Sequence, residues 1–361
     1  MYYQFDNFKD QLKTQKLQSK EADVVYLFLI TENDNQHIPQ LIEYCNSLGI
    51  SFFGGFFPKI IYKNTIYDDG FICYPIHTKN KPIIVSNNKP FDKNSLKDTH
   101  EKDIFLMFDG LSPYFQNIIE DLYFKLGSDY TIFGGGSGPL SLEQQLCVFD
   151  NNGIYKDCGI LCSTSKKFNT SVQHGWKRKY GPLIATKTEK NWIFELNWRN
   201  AFEVYKEVID NQALNTETFF EISKNHPFGV MKEGHEDIIR EPIFVNNKGS
   251  IKSIGDIMEN SVLYIMTAEK EDLIKATEKA AASIASQAKN PQVFMVDCIS
   301  RYLFLGNDYQ KEIDACTEKL KINNEVKPLI GVLSLGEISS TEKNQMVEYF
   351  NKTIVVNAIE E

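Results

Sequence analysis

No apolar run in the 361-residue chain approaches the roughly 18 residues of a membrane-spanning helix. The opening stretch, MYYQFDNFKDQL, lacks the apolar segment of a secretory signal. Basic residues are outnumbered, 39 Lys and Arg against 48 Asp and Glu, for a formal charge of −9. Lys177-Arg178-Lys179 is one basic triplet, so nucleic acid is a poor partner: phosphate binding needs concentrated positive charge. Familiar catalytic signatures are missing too. There is no phosphate-binding G-x-x-x-x-G-K-[ST], no C-x-x-C and no H-E-x-x-H. Pro139 stands where a G-x-S-x-G nucleophile elbow starting at Gly135 needs its second glycine. Cys158 and Cys162 have no second pair to complete a zinc site. The seven cysteines fall at irregular spacing, mostly inside apolar strands, which suits a reducing compartment better than a disulfide framework. The expectation is a cytoplasmic protein with no membrane association, no metal and no cofactor.

What the chain does contain is a repeated unit. In DIFLMFDGLSPYFQNIIEDLYFKLGSDYTIFGGGSG, Ile104–Phe108 is a short apolar run that suits a strand covered on both faces. Ile118, Ile119, Leu122, Tyr123 and Leu126 fall at helical spacing, and Gly127 is a stop. Tyr130–Phe133 reads as a returning strand, ended by Gly134, Gly135, Gly136, Ser137 and Gly138. Eighty residues earlier, Asp23–Ile30, an Ile38–Leu48 helix and Ile50–Phe53 lead to Gly54 and Gly55. In both copies the glycine pair lies thirty-one residues after the leading Asp. A looser third copy runs Val293–Cys298, a Tyr309–Leu320 helix, then Leu329, Ile330 and Gly331.

Between the units, residues 1–20 suggest a short helix and Ile60–His77 a hairpin. Turn chemistry from Gln145 to Thr188 predicts antiparallel strands. A helix over Ala201–Asp210 has Asn197 as candidate N-cap. Ile239–Val245 reads as one strand, Lys270–Ala288 as a helix, and Glu342–Tyr349 and Thr353–Ile359 as a last helix and strand. The fold class expected is α/β to α+β, with two domains, each a mixed sheet covered by helices. The boundaries expected are 1–21 for an N-terminal extension, 22–217 for the first domain and 218–361 for the second.

Right-handed crossovers leave the carboxyl ends of both strands on one edge, where open α/β sheets bind ligands. Gly54, Gly55, Gly134, Gly135 and Gly136 would then line a shared rim; alternatively they only permit tight turns and close sheet packing. Cys298-Ile299-Ser300-Arg301 places a thiol near a guanidinium, which could lower the thiol pKa or form a fork for a carboxylate. A small core cysteine is the plainer reading. Arg240 could project inward, Glu337 could accept an amino group or sit in an ion pair, and His226 could be a hinge, a ligand contact or a cap.

At this point the residues match a known pattern. ISFFGGFFP (Ile50–Pro58), DIFLMFDGL (Asp103–Leu111), YTIFGGGSG (Tyr130–Gly138) and Gly175-Trp176 resemble the N-terminal part of the FIST (F-box and intracellular signal transduction) domain. HPFGV (His226–Val230), REPIFVNNKGSI (Arg240–Ile251), VDCISRYLFLG (Val296–Gly306) and PLIGVLSLGEI (Pro328–Ile338) resemble its C-terminal part. The chain departs from the family pattern at Ser300, where glycine is common, and at Leu333-Ser334-Leu335, where aromatic and hydroxyl residues are common. The resemblance implies a non-catalytic sensory input module for amino acids or related metabolites. It implies a signalling partner such as a histidine kinase, a cyclic-nucleotide enzyme or a chemoreceptor. About twenty residues precede the first strand, too few for an F-box, so a stand-alone sensor is expected. Arg240 and Arg301 would hold a carboxylate, Glu337 an amino group, with Cys298, His226 and the glycines around them. Two alternatives stand beside this one: an enzyme with Cys298 as nucleophile, and an adaptor that binds protein and no ligand.

Overall fold

Asp103–Asp109 is buried at every position after its first, as a strand covered on both faces must be. The computed structural model describes residues 1–14, 23–285, 291–320, 329–340 and 347–360. Helix Phe115–Leu126 buries Ile118, Ile119, Leu122 and Leu126 along one stripe and stops at Gly127, whose φ of 77° suits glycine. Thr131–Ser137 then returns parallel to the first strand. The same arrangement joins Val24–Thr31 to Phe52–Phe57 through helix Ile38–Ser47. It recurs in Gln292–Cys298 and Ile330–Ser334, which are also parallel. Here the connection carries Tyr309–Lys319 and, before it, a helix the apolar pattern did not reveal, Ile299–Leu305.

Each parallel pair is the centre of a six-stranded sheet. The first sheet extends to Phe71–His77 and Tyr2–Tyr3 on one side and to Val148–Asp150 and Gly153–Tyr155 on the other. In the second, Glu337–Ser340 and Val347–Phe350 add to Thr131–Ser137, while Cys158–Thr164 and Ile83–Ser86 add to Asp103–Asp109. In the third, Ile354–Ile359 and Phe168–Gln173 flank Gln292–Cys298, and Lys59–Tyr62 and Thr65–Tyr67 flank Ile330–Ser334. An eight-stranded antiparallel sheet is built around Lys177–Glu189, Val262–Thr267 and Trp192–Leu196. The architecture is a two-domain α+β fold of mixed sheets with helices. Three of the four sheets take strands from both sides of residue 217, so the two halves of the chain interlock.

One aromatic core joins the three six-stranded sheets. Phe28, Phe52, Phe105, Phe133, Phe294 and Val296 belong to it, with Phe105 5.5 Å from Phe294 and 6.2 Å from Phe133, ring centre to ring centre. This close packing explains the glycines, and it corrects an expectation. They do not end their strands: Gly54 and Gly55 lie inside Phe52–Phe57, and Gly134, Gly135 and Gly136 inside Thr131–Ser137. A Cβ at Gly135 would lie 2.8 Å from Val296 Cγ1, 3.3 Å from Ser334 Cβ and 3.8 Å from Phe57 Cε1. Two of the units thus press on the strand of the other with no room for a methyl group.

Other local expectations also shift. Asn200, not Asn197, caps helix Ala201–Ile209, accepting from the N–H groups of Phe202 and Glu203; Asn197 has a positive φ in the turn just before it. Ile238–Arg240 and Pro242–Val245 are separate strands broken at Glu241, and they lie at opposite ends of the fourth sheet. Val347–Phe350 is a strand rather than the end of a helix; residues 342–346 of that expected helix lie outside the described residues. The same holds for 286–288 of the alanine-rich helix, observed as Lys270–Ala285, and for 15–20 after helix Phe8–Thr14. Among the described residues no helix is long and apolar enough to cross a membrane.

Candidate functional site

Cys298 is the last residue of its strand, and helix Ile299–Leu305 starts at once, so Arg301 sits in the first turn and folds back under the sheet. It is fully buried, with Asp297 and Glu312 as buried partners. Asp297 Oδ1 lies 3.1 Å from Nε. Nε also donates to Glu312 Oε1 at 3.1 Å, and Nη2 reaches the same oxygen. Nη1 donates to the His174 carbonyl at 2.6 Å, and Nη2 to Leu273 O at 3.0 Å and Thr277 Oγ1 at 3.2 Å. Burial lowers the pKa of the guanidinium, but Glu312 and Asp297 more than offset this and raise it. Every nitrogen of Arg301 is engaged by protein, which leaves no free fork for an external carboxylate.

Around it lies a buried polar cluster that apolar periodicity does not reveal. Ser334 Oγ donates to Glu337 Oε1 at 2.7 Å, and Tyr309 OH donates to Asp297 Oδ2 at 2.5 Å. Glu337 is fully buried and pairs with Gly135 across the ladder. Burial raises its pKa well above the carboxylate range; the Ser334 hydrogen bond opposes this, and the nearby Asp297 adds to it. Asp297 is also raised, by burial and then by Glu312. Cys298 is buried, and its thiol is pushed up by burial and by Glu337 and Glu241, so it is held as a thiol rather than a nucleophilic thiolate. Beside it, Lys352 Nζ and Glu241 Oε1 form a buried ion pair at 2.7 Å, and Ser300 Oγ donates to Glu241 Oε2 at 2.7 Å.

The remaining anticipated residues lie further out. Arg240 donates to the carbonyls of Asp256, Ile239 and Tyr349 at 3.0–3.1 Å, and its guanidinium stands 5.8 Å from the Tyr349 ring. Side chains alternate along a strand, so Tyr349 and Phe350 face opposite sides, and Arg240 packs on the Tyr349 side. His226 is in the surroundings of the fourth sheet, where its carbonyl accepts from Tyr205 OH at 2.7 Å. Burial, then Lys179, lowers its pKa. Cys298, Arg301, Glu337 and Gly135 come together; Arg240 and His226 do not join them.

A cleft of about 1050 Å³ opens against this cluster. It runs along edge strand Phe168–Gln173 and reaches Asp103 and Thr131, the starting ends of the parallel strands, rather than the carboxyl rim the crossover rule favours. Its lining touches the cluster repeatedly. Phe350 pairs with Glu337 across the ladder, Thr353 O accepts from Cys298 N at 3.2 Å, and His174 O accepts from Arg301. Thr170 Oγ1, also in the lining, donates to Asn357 Oδ1 at 3.1 Å. Behind this wall Glu337 Oε2 and Asn357 Nδ2 are fully buried without a hydrogen-bond partner, as are Glu312 Oε2 and Asp297 Oδ1 deeper in the cluster, where they are held by the charge of Arg301. Such groups cost on the order of 1–3 kcal/mol each, and a ligand is one way of recovering it. At the mouth, Lys232 pairs with Glu348 at 2.6 Å, Glu236 with Lys279 at 3.5 Å, and Asp237 with Arg178 at 2.6 Å.

Sequence reasoning missed Asp297, Glu312, His174 and Asn357. Asp297 and Asn357 did leave a signal: each is a lone polar residue inside an apolar run, VFMVDC and IVVNAI. Among the described residues no group of three or more His, Cys, Asp or Glu is placed to hold a metal ion.

Residues 23–199 match the FIST N domain and residues 201–340 the FIST C domain. The chain belongs to the FIST family. FIST domains are sensory domains of signal transduction that detect small ligands, and they are not typically catalytic. No curated protein matches the chain significantly.

Proposed function

We propose that this chain is a non-catalytic cytoplasmic sensor that binds an amino acid or a related amino-bearing metabolite in the cleft beside Phe350 and Thr353. The observation that carries this reading is the orphaned Glu337 Oε2, buried one ladder position from the cleft lining. The ligand's amino group meets Glu337 from the cleft side. Arg301 and Arg240 serve as framework, because the hydrogen bonds they make are to protein acceptors. Asn357 pairs with Phe294, four residues along the strand from Cys298 and thus about 13 Å away, so it meets the far end of a longer ligand. A buried thiol with a raised pKa beside two glutamates supports a structural Cys298 over a nucleophile. The signal passes to a separate partner, such as a histidine kinase, a cyclic-nucleotide enzyme or a chemoreceptor.

Thermal unfolding against the twenty L-amino acids tests the reading. Ligand at a hundred times its Kd adds about 2.7 kcal/mol. For 361 residues the unfolding entropy is about 0.8 kcal/mol per kelvin, so the expected rise is ~3–4 °C. A flat response across the whole panel sinks it.

A further inference from the structure

Among the described residues, Arg301 is the single cation of the buried groups that surround Asp297, Glu312 and Glu337; the neighbouring Lys352 is matched by Glu241. Three carboxyl groups therefore share one guanidinium. Leaving a buried carboxylate uncompensated is far costlier than protonating it. The groups facing Glu337 come from every element packed on it: Ser334 from one strand, Asp297 and Cys298 from the next, Arg301 from the short helix, and Tyr349 from the far side, with Glu241 beyond Cys298. Gly135, directly opposite in the ladder, brings no side chain. Ser334 donates to Oε1, the Cys298 thiol lies beside the carboxyl group, and Oε2 has no donor within hydrogen-bond geometry.

We infer that the ligand's protonated nitrogen replaces the proton carried by Glu337, so that binding releases one proton to solvent and tightens as pH rises. The inference rests on the ligand reading above and adds its linkage to pH. The exchange balances: neutral Glu337 carboxylic acid plus R–NH₃⁺ gives the carboxylate–ammonium pair and one H⁺. No bond other than the O–H bond breaks. The raised pKa of the buried acid agrees with a neutral resting state.

The probes are the twenty L-amino acids and their N-acetyl derivatives, which keep the carboxylate and lose the cation. Calorimetric titration in phosphate, HEPES and Tris at about pH 7 separates proton release from intrinsic heat, and about one proton per bound amino acid is expected. Affinity should rise about tenfold per pH unit while the free acid stays protonated. Glu337→Gln keeps the Ser334 hydrogen bond, because Gln also offers an Oε1, and should abolish the release. An amino acid that binds with no proton released overturns this inference and leaves the ligand reading intact. A panel in which nothing binds overturns both. Infrared spectroscopy of the ligand-free protein gives an independent measure: protonated-carboxyl absorption should be present and should lose intensity in Glu337→Gln. An unchanged spectrum overturns the inference whatever binds.

Discussion

Replacing Arg301 with alanine asks whether that side chain holds the fold or a ligand. In the fold it satisfies Glu312, Asp297, Thr277 and the carbonyls of His174 and Leu273, all in a volume without solvent access. Arg301→Ala leaves Glu312 and Asp297 without their cation, so that they stay charged or take up a proton, and strands the carbonyls of His174, Leu273 and Lys352. Removing one member of a buried ion pair costs about 3–5 kcal/mol, against a typical total stability of about 5–15 kcal/mol. With an unfolding entropy of about 0.8 kcal/mol per kelvin, the midpoint falls by ~4–6 °C. Urea unfolding of wild type, Arg301→Ala, Glu312→Gln and the double mutant measures this. The double mutant should be more stable than the sum of the single losses predicts, by about 1–3 kcal/mol, because it no longer leaves Glu312 as a charge without its partner. A loss under about 1 kcal/mol in Arg301→Ala, accompanied by loss of ligand response, would refute the structural role and return Arg301 to the ligand.

Three other outcomes follow from the same geometry. Gly135→Val should destabilise by about 1–3 kcal/mol or prevent folding, because Val296 and Ser334 already fill the space; Gly127→Ala, with nothing within 4 Å, should cost only about 1 kcal/mol for its positive φ. Equal losses in urea unfolding would contradict the packing argument. Cys298 should resist iodoacetamide in the native state and react once the chain is unfolded, as mass spectrometry of the tryptic peptide would report; rapid native labelling would revive the nucleophile. Glu337 binds its proton more tightly folded than unfolded, so its effect on stability worsens as pH climbs from about 4 toward the raised folded value. Glu337→Gln should therefore gain stability relative to wild type at about pH 8 compared with about pH 5. An identical difference at both pH values, in thermal melts, would show an acid that is already ionised.

Apolar periodicity and glycine spacing made the repeated units legible, and all three pairs proved parallel. The site was legible in part. VDCISR and the closing Gly336-Glu337 both fall in the buried polar cluster, yet the packing of Arg301 could not be read, because its partners Glu312, His174 and Leu273 come from elsewhere in the chain. Glu241 and Lys352 show the same limit: they are separated by more than a hundred residues and meet at 2.7 Å. The last strand was visible, but the role of Asn357 was not, because hydrogen bonding to Thr170 requires two strands to be side by side.

By itself the sequence determined the local elements: where apolar runs must be covered, where a helix must stop, and that no disulfide, metal or membrane motif was written into it. Local propensity and burial act over a few residues, so a linear pattern records them. Which strands share a sheet, and therefore which charges share a buried volume, was decided only in three dimensions. Strands from one half complete the sheets of the other because unpaired edge groups must find partners and the aromatic faces of three sheets must exclude water together.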